Sequence, residues 1–310
     1  MRNNELSKRN LKRIKYQNNL KGKYIDFAQK GRYFERLITP YNKSGKQKFY
    51  IEQYIHGDGK ELKEKFWSKR SSSRFAFELY SWLADDKNCV DIEFEFKLPT
   101  LKGYSVGAPN MDVYIETKEK RILIESKFLE SSKISLDNLS KSYDLDQSLT
   151  VNKKELSLLN RYYDDEDLKS ESVKFIDGAT KLINENLKGK EDFFDIKQEV
   201  NHLIGIAFQL HLNSDWTKKP LQFFNVVYQY DDDNENDNVN KFREDFIELG
   251  NNYINKLYKG NGFKFEYGIK TTDDFLYNDL KLSKNQIAFG CSDGTTVLEK
   301  LKSFYKEIQE

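Results

Sequence analysis

The residues of this 310-residue chain whose types and spacing carry the most chemistry lie between Pro109 and Lys127. Two β-rich runs, Met111–Glu116 and Arg121–Phe128, flank the polar stretch Thr117–Lys120, the pattern of an antiparallel hairpin with Lys118-Glu119 as its two-residue turn. That register sets Asp112 directly opposite Glu125, with Cβ atoms about 5 Å apart. Strand alternation puts Lys127 on the same face. It also gathers Val113, Ile115, Ile122 and Ile124 on the other face as an apolar patch for a core, a separation that a one-residue slip would destroy. Two carboxylates held side by side repel unless a cation sits between them. A hard divalent ion such as Mg²⁺ suits them, because it takes a few carboxylate oxygens and keeps waters for a phosphate. Lys127 would reach the same place and orient, or help deprotonate, an attacking water. The chemistry to expect is metal-assisted phosphodiester hydrolysis, in which the metal polarises the phosphate and acidifies the water.

The elements that must hold these residues are readable from periodicity. Ser71–Ser73 form an N-cap cluster ahead of Phe75, Leu79, Trp82 and Leu83, which predicts a helix over about 73–85. From Val90 to Leu98 apolar residues alternate strictly with Asp91, Glu93, Glu95 and Lys97, the signature of a half-buried strand. Helical patterns dominate from about 132 to 212 and are strongest over 172–187 and 191–212. A strand at Leu221–Tyr230, a helix over about 239–258, a strand at Phe263–Ile269 and helices near 272–281 and 294–308 complete the chain. Strands mixed with crossover helices imply an α/β (α+β) sheet with helices packed on it.

Composition bounds the function classes. Basic residues number 51 and acidic ones 50, and aromatics reach 14%, too many for a disordered chain. Mean hydropathy is -0.80 and no run approaches the length of a membrane span. The N-terminus has no apolar stretch of the secretory type, so a cytoplasmic location is expected. Cys89 and Cys291 are too far apart in sequence for a metal-site spacing and too few for a disulfide framework. The near-neutral total hides a segregation. Residues 1–50 hold 14 basic against 3 acidic residues, a net of +11, and the remainder has a net of −10. A basic arm with Tyr16, Tyr24, Phe27, Tyr33 and Phe34 interleaved points to a polyanion partner. It reads as one or two amphipathic helices over 6–40, ending near Pro40. The acidic runs Asp164–Asp167 and Asp231–Asp237 read as solvated loops; the second lacks the spacing of a calcium-binding loop.

Asp112 followed by Glu125-Ser126-Lys127 resembles the D…(D/E)xK motif of the PD-(D/E)xK nuclease superfamily. The resemblance implies a restriction-endonuclease-like fold, a mixed central sheet flanked by helices, over residues 71–310, behind a basic, mainly helical segment at 1–70. It implies that Asp112, Glu125 and the Ser126 carbonyl hold Mg²⁺, for which Mn²⁺ substitutes, and that Lys127 serves the attacking water. In that family the hairpin lies behind a helix that often carries another acidic residue, for which Glu78 is the match here. The family often places a Gln on the helix after the (D/E)xK strand, and Gln198 is the match. Met111 stands where the family's name-giving Pro would be. The activity so implied is Mg²⁺-dependent DNA endonuclease chemistry, of the restriction or defence kind in bacteria, with DNA as partner and a homodimer as one way to cut both strands. The alternative is a nuclease-fold module that binds nucleic acid without cutting it, and a further one is an interaction protein whose basic arm docks an acidic partner.

Other chemistries lack residues. His202 and His211 are nine positions apart on one predicted helix and so off one face, and His56 is remote, which leaves no histidine metal site. No phosphate-binding G-x-x-x-x-G-K-[ST] and no G-x-G-x-x-G occurs.

Overall fold

The computed structural model describes residues 24–43, 46–56, 61–69, 71–99, 109–128, 132–133, 165–186, 191–192, 195–228, 237–259 and 262–309. The expected helical stretch over 6–23, the helical patterns within 134–164 and residues 231–236 of the second acidic run lie outside them. The elements in chain order are α1 (Phe27–Leu37), β1 (Tyr41–Lys43), β2 (Lys46–Lys48), α2 (Tyr50–His56), α3 (Ser72–Tyr80), β3 (Cys89–Lys97), β4 (Asn110–Thr117), β5 (Arg121–Lys127), β6 (Ser132–Lys133), α4 (Glu166–Asn186), β7 (Glu191–Asp192), α5 (Ile196–Leu212), β8 (Leu221–Val227), α6 (Asp237–Leu257), β9 (Phe265–Thr271) and α7 (Val297–Gln309).

A five-stranded sheet of order β3-β4-β5-β8-β9 forms the centre. β3, β4 and β5 run antiparallel as a meander, whereas β5, β8 and β9 are parallel. The switch has a sequence cause. A two-residue turn joins β4 to β5, but the route from β5 to β8 passes through α4 and α5, and a crossover of that kind returns a strand parallel. Helices cover both faces. One core holds Val113, Ile115, Ile122 and Ile124 with aromatic residues of α2 and α3, and the other holds Leu123 and Phe223 with Val200, Leu203, Phe208 and Phe246 from α5 and α6. The four apolar hairpin residues therefore share one face, as the alternation predicts.

The described residues between 24 and 69 contribute to the first core. Ile25, Tyr33, Leu37, Tyr41, Tyr50, Tyr54 and Phe66 pack there with Phe75 and Phe77 of α3. α1 starts where the Asp26 side chain accepts the Gln29 N–H, and α3 where Ser71 accepts the Arg74 N–H. Beyond Tyr80 the predicted 73–85 helix tightens into a 3₁₀ stretch at Ser81–Asp85.

In β3 the strict alternation is interrupted. Glu95 adopts a left-handed backbone, φ 53°, and on either side of it Phe94 and Phe96 turn to different cores. β4 shows the same exchange around Asp112, with Met111 in one core and Val113 in the other. The two acidic residues thus sit where the sheet changes its faces.

Candidate active site

The hairpin turn is pinned by its own threonine. Thr117 Oγ1 accepts the N–H groups of Glu119 (3.2 Å) and Lys120 (2.9 Å), and the Thr117 N–H donates to the Lys120 carbonyl at 2.8 Å. Pairing then runs Glu116↔Arg121, Ile115↔Ile122, Tyr114↔Leu123 and Val113↔Ile124. Past Val113 the Asp112 side chain takes over, its Oδ2 accepting the Ser126 N–H at 2.7 Å. This fixes Asp112 against the strand that carries Glu125 and Lys127.

Glu125 and Lys127 are 4% and 3% exposed and bond to each other, Lys127 Nζ donating to Glu125 Oε1 at 2.8 Å. Gln198 closes a triangle: its Nε2 donates to Glu125 Oε1 at 2.6 Å, and its Oε1 accepts from Lys127 Nζ at 2.5 Å. An amide serves both partners, since it presents a donor and an acceptor side by side. Gln198 is in reach because it lies in the first turn of α5, capped by Asp195, whose carboxylate accepts the Gln198 N–H at 3.2 Å. Gly205 lets the helix approach. A Cβ there would lie 2.9 Å from Leu98 Cβ and 3.2 Å from both Pro109 Cγ and the Pro99 carbonyl, at the threshold of β4.

Of the expected site residues, Asp112, Glu125, Ser126, Lys127 and Gln198 are therefore brought together, and Glu78 is not. Glu78 is buried at 1% exposure and paired two-pronged with Arg36, at 2.7 and 2.9 Å, while Arg36 Nε also donates to the Phe289 carbonyl at 2.8 Å. Burial alone would raise the Glu78 carboxyl; the Arg36 guanidinium and its hydrogen bonds, with the Tyr33 hydroxyl, outweigh that and hold it below the usual carboxylate range. Glu78 ties α3 to α1, a structural task that residue spacing could not show because its partner lies on another element.

The structure adds residues that sequence reasoning passed over. Glu95, read as one of β3's solvent-facing acids, is pushed up to about 8 by burial, then by the carboxylates of Glu61 and Glu125. Glu61 is buried and accepts from Ser73 Oγ at 2.7 Å. On the other side, beneath α5, the Glu199 carboxyl is raised to about 7 by burial and accepts from Asn225 Nδ2 (2.7 Å) and Tyr267 OH (2.9 Å). His202, expected to be an isolated histidine, is buried with Nε2 3.9 Å from Glu125 Oε2. Burial and then the Lys127 charge lower it to about 3, so the ring is neutral. The only advance signal for Glu199 and His202 was their place in the helix that carries Gln198.

Family models, curated proteins and solved structures return no match to this chain. Among the described residues, no helix is long and apolar enough to cross a membrane.

A hard divalent cation fits this donor set in a specific way. Glu125 Oε2 is buried without a hydrogen-bond partner, an acceptor oxygen that a cation would satisfy. Among the described residues, no three or more His, Cys, Asp or Glu side chains are gathered for ligation. A cation held there would keep positions for water and phosphate, as Mg²⁺ does. Lys127 already supplies positive charge to Glu125.

Proposed function

We propose that the protein is a Mg²⁺-dependent DNA endonuclease with a restriction-endonuclease-like fold, its active site formed by Asp112, Glu125, Ser126, Lys127 and Gln198. The observation that carries the reading is the triangle of buried Glu125 and Lys127 with half-buried Gln198, beside Asp112. It gathers Glu125 and Lys127 of the D…(D/E)xK pattern with the glutamine of the following helix, while Asp112 is bonded to the strand that carries them. The order of helix, hairpin, helix and parallel strand supports it too, as does the net of +11 over residues 1–50, which would grip a phosphate backbone.

In this reading Asp112, Glu125 and the Ser126 carbonyl hold Mg²⁺, which supplies charge to the scissile phosphate and acidifies the attacking water. Lys127 Nζ, held by Gln198 and Glu125, faces that water and guides its proton. Gln198 bonds to both Lys127 and Glu125 and so fixes the lysine beside the carboxylate. Water oxygen bonds to phosphorus as the P–O3′ bond breaks, and the departing oxygen takes up a proton, leaving 5′-phosphate and 3′-hydroxyl ends. Burial of Glu125 and Lys127 strengthens their electrostatic contact relative to water.

The test uses purified protein, plasmid DNA and Mg²⁺ or Mn²⁺. Cleavage is expected for the wild type and is lost in Asp112→Ala and Lys127→Ala. Equal cleavage by all three sinks the site; binding of DNA in EDTA with no cleavage under either ion favours a binding module instead.

A further inference from the structure

We propose that Glu199 is a positioning residue of this site: it clamps the first turn of α5 to β8 and β9, and so sets the place of Gln198. The inference rests on the nuclease reading.

A fully buried carboxylate is costly, and packing alone gives no reason for one here. Glu199 is 0% exposed, and its helix neighbours Ile196, Val200 and Leu203 belong to the apolar core under the sheet. Yet Glu199 Oε2 collects donors from two adjacent strands, Asn225 of β8 and Tyr267 of β9. Both donors are rigid. Asn225 is 0% exposed and stands in register with Glu125 across the parallel β5–β8 ladder. Tyr267 stacks on Phe223 with ring centres 4.9 Å apart and planes 18° from parallel.

Apolar side chains let a helix slide or rotate on a sheet by fractions of an ångström, whereas two directional hydrogen bonds to one oxygen fix both motions. The next residue back, Gln198, has no such latitude. Its amide meets Glu125 at 2.6 Å and Lys127 at 2.5 Å at once, and a shift of about 1 Å would break one contact or both. The run Tyr267–Glu199–Asn225 thus refers the helix to β8 and β9, and β8 pairs directly with β5, the strand that carries the carboxylate and the lysine. Asn225 Oδ1 and Glu199 Oε1 have no protein partner, so the clamp acts through Oε2.

Full-length Glu199→Gln, Glu199→Leu and Tyr267→Phe are compared with wild type in single-turnover cleavage of a DNA duplex with Mg²⁺. Duplex Kd is measured with Ca²⁺ in place of Mg²⁺, and Tm in parallel. Glu199→Leu is expected to lose about 100-fold in rate with Kd within about twofold, because geometry and not affinity is disturbed. Glu199→Gln, whose amide oxygen still accepts both bonds, stays within about threefold of wild type. Tyr267→Phe removes one donor with little change of shape, loses about tenfold, and stands in if the leucine variant does not fold. Wild-type rates in Tyr267→Phe and in a folded Glu199→Leu overturn the proposal, as does a loss in Glu199→Gln equal to that in Glu199→Leu, or a Kd that weakens in step with the rate. A wild-type protein that never cuts overturns the nuclease reading and this inference with it; an active wild type with unaffected variants overturns the inference alone.

Discussion

Glu78 and Glu125 are both buried carboxylates bonded to a cation, and they differ in how completely they are satisfied. Glu78 has both oxygens on Arg36, and the remaining Arg36 Nε is spent on the Phe289 carbonyl. Glu125 has one oxygen shared by Lys127 and Gln198 and the other without a partner. Around the second pair the want of partners spreads: Glu199 Oε1, His202 Nδ1 and Asn225 Oδ1 are also buried without one. A closed pair can only hold elements together. An open one, next to Asp112 and with a neutral histidine below it, has coordination left to give. On the nuclease reading, the difference separates a staple from a site even though both are buried glutamates paired with a cation.

Breaking the staple is expected to have the largest effect on stability. Arg36→Ala leaves the Glu78 carboxylate buried alone and should cost about 3–5 kcal/mol in urea unfolding, whereas the double change Arg36→Met with Glu78→Leu recovers most of the loss. At the site the pattern reverses. Asp112→Asn can still accept the Ser126 N–H, so unfolding should change by less than about 1 kcal/mol, while DNA cleavage falls about a thousandfold, or about 4 kcal/mol of barrier. Gly205→Ala pushes α5 off Leu98 and the Pro99 carbonyl and should cost about 1–3 kcal/mol, with cleavage slowed beyond what that loss of folded protein explains.

The smallest effect is in pH. The Glu78 carboxyl is held below its ordinary value, so its contribution is fully present above the unfolded carboxylate pKa of about 4.3 and is lost as pH falls through the folded one. Tm measured downward from pH 5 should therefore drop more steeply for wild type than for the Arg36→Met, Glu78→Leu double variant. Parallel curves would mean that the pair contributes no pH dependence.

What was legible in the sequence follows from how local each determinant is. The hairpin register was readable because a two-residue turn and period-two alternation leave one pairing that buries Val113, Ile115, Ile122 and Ile124 together. The resemblance supplied Gln198, 71 positions from Lys127. Glu78 was read as a site residue because helix position alone cannot show a partner 42 residues away in α1. Glu95 was read as solvent-facing because alternation assumes an ordinary extended backbone, and the left-handed turn at that residue is set by what packs on either side. The hairpin of β1 and β2 and the short α2 were also missed, having runs of only 3, 3 and 7 residues in which to show a period.

The central claim is that Glu125 Oε2 and Asp112 together await a cation. Anomalous diffraction from crystals soaked in Mn²⁺ tests it most directly. A peak is predicted between these two carboxylates, about 2.0–2.3 Å from Glu125 Oε2, and it should vanish in Asp112→Asn. A soak that leaves that position empty, with Glu125 Oε2 bonded to protein instead, would contradict the account.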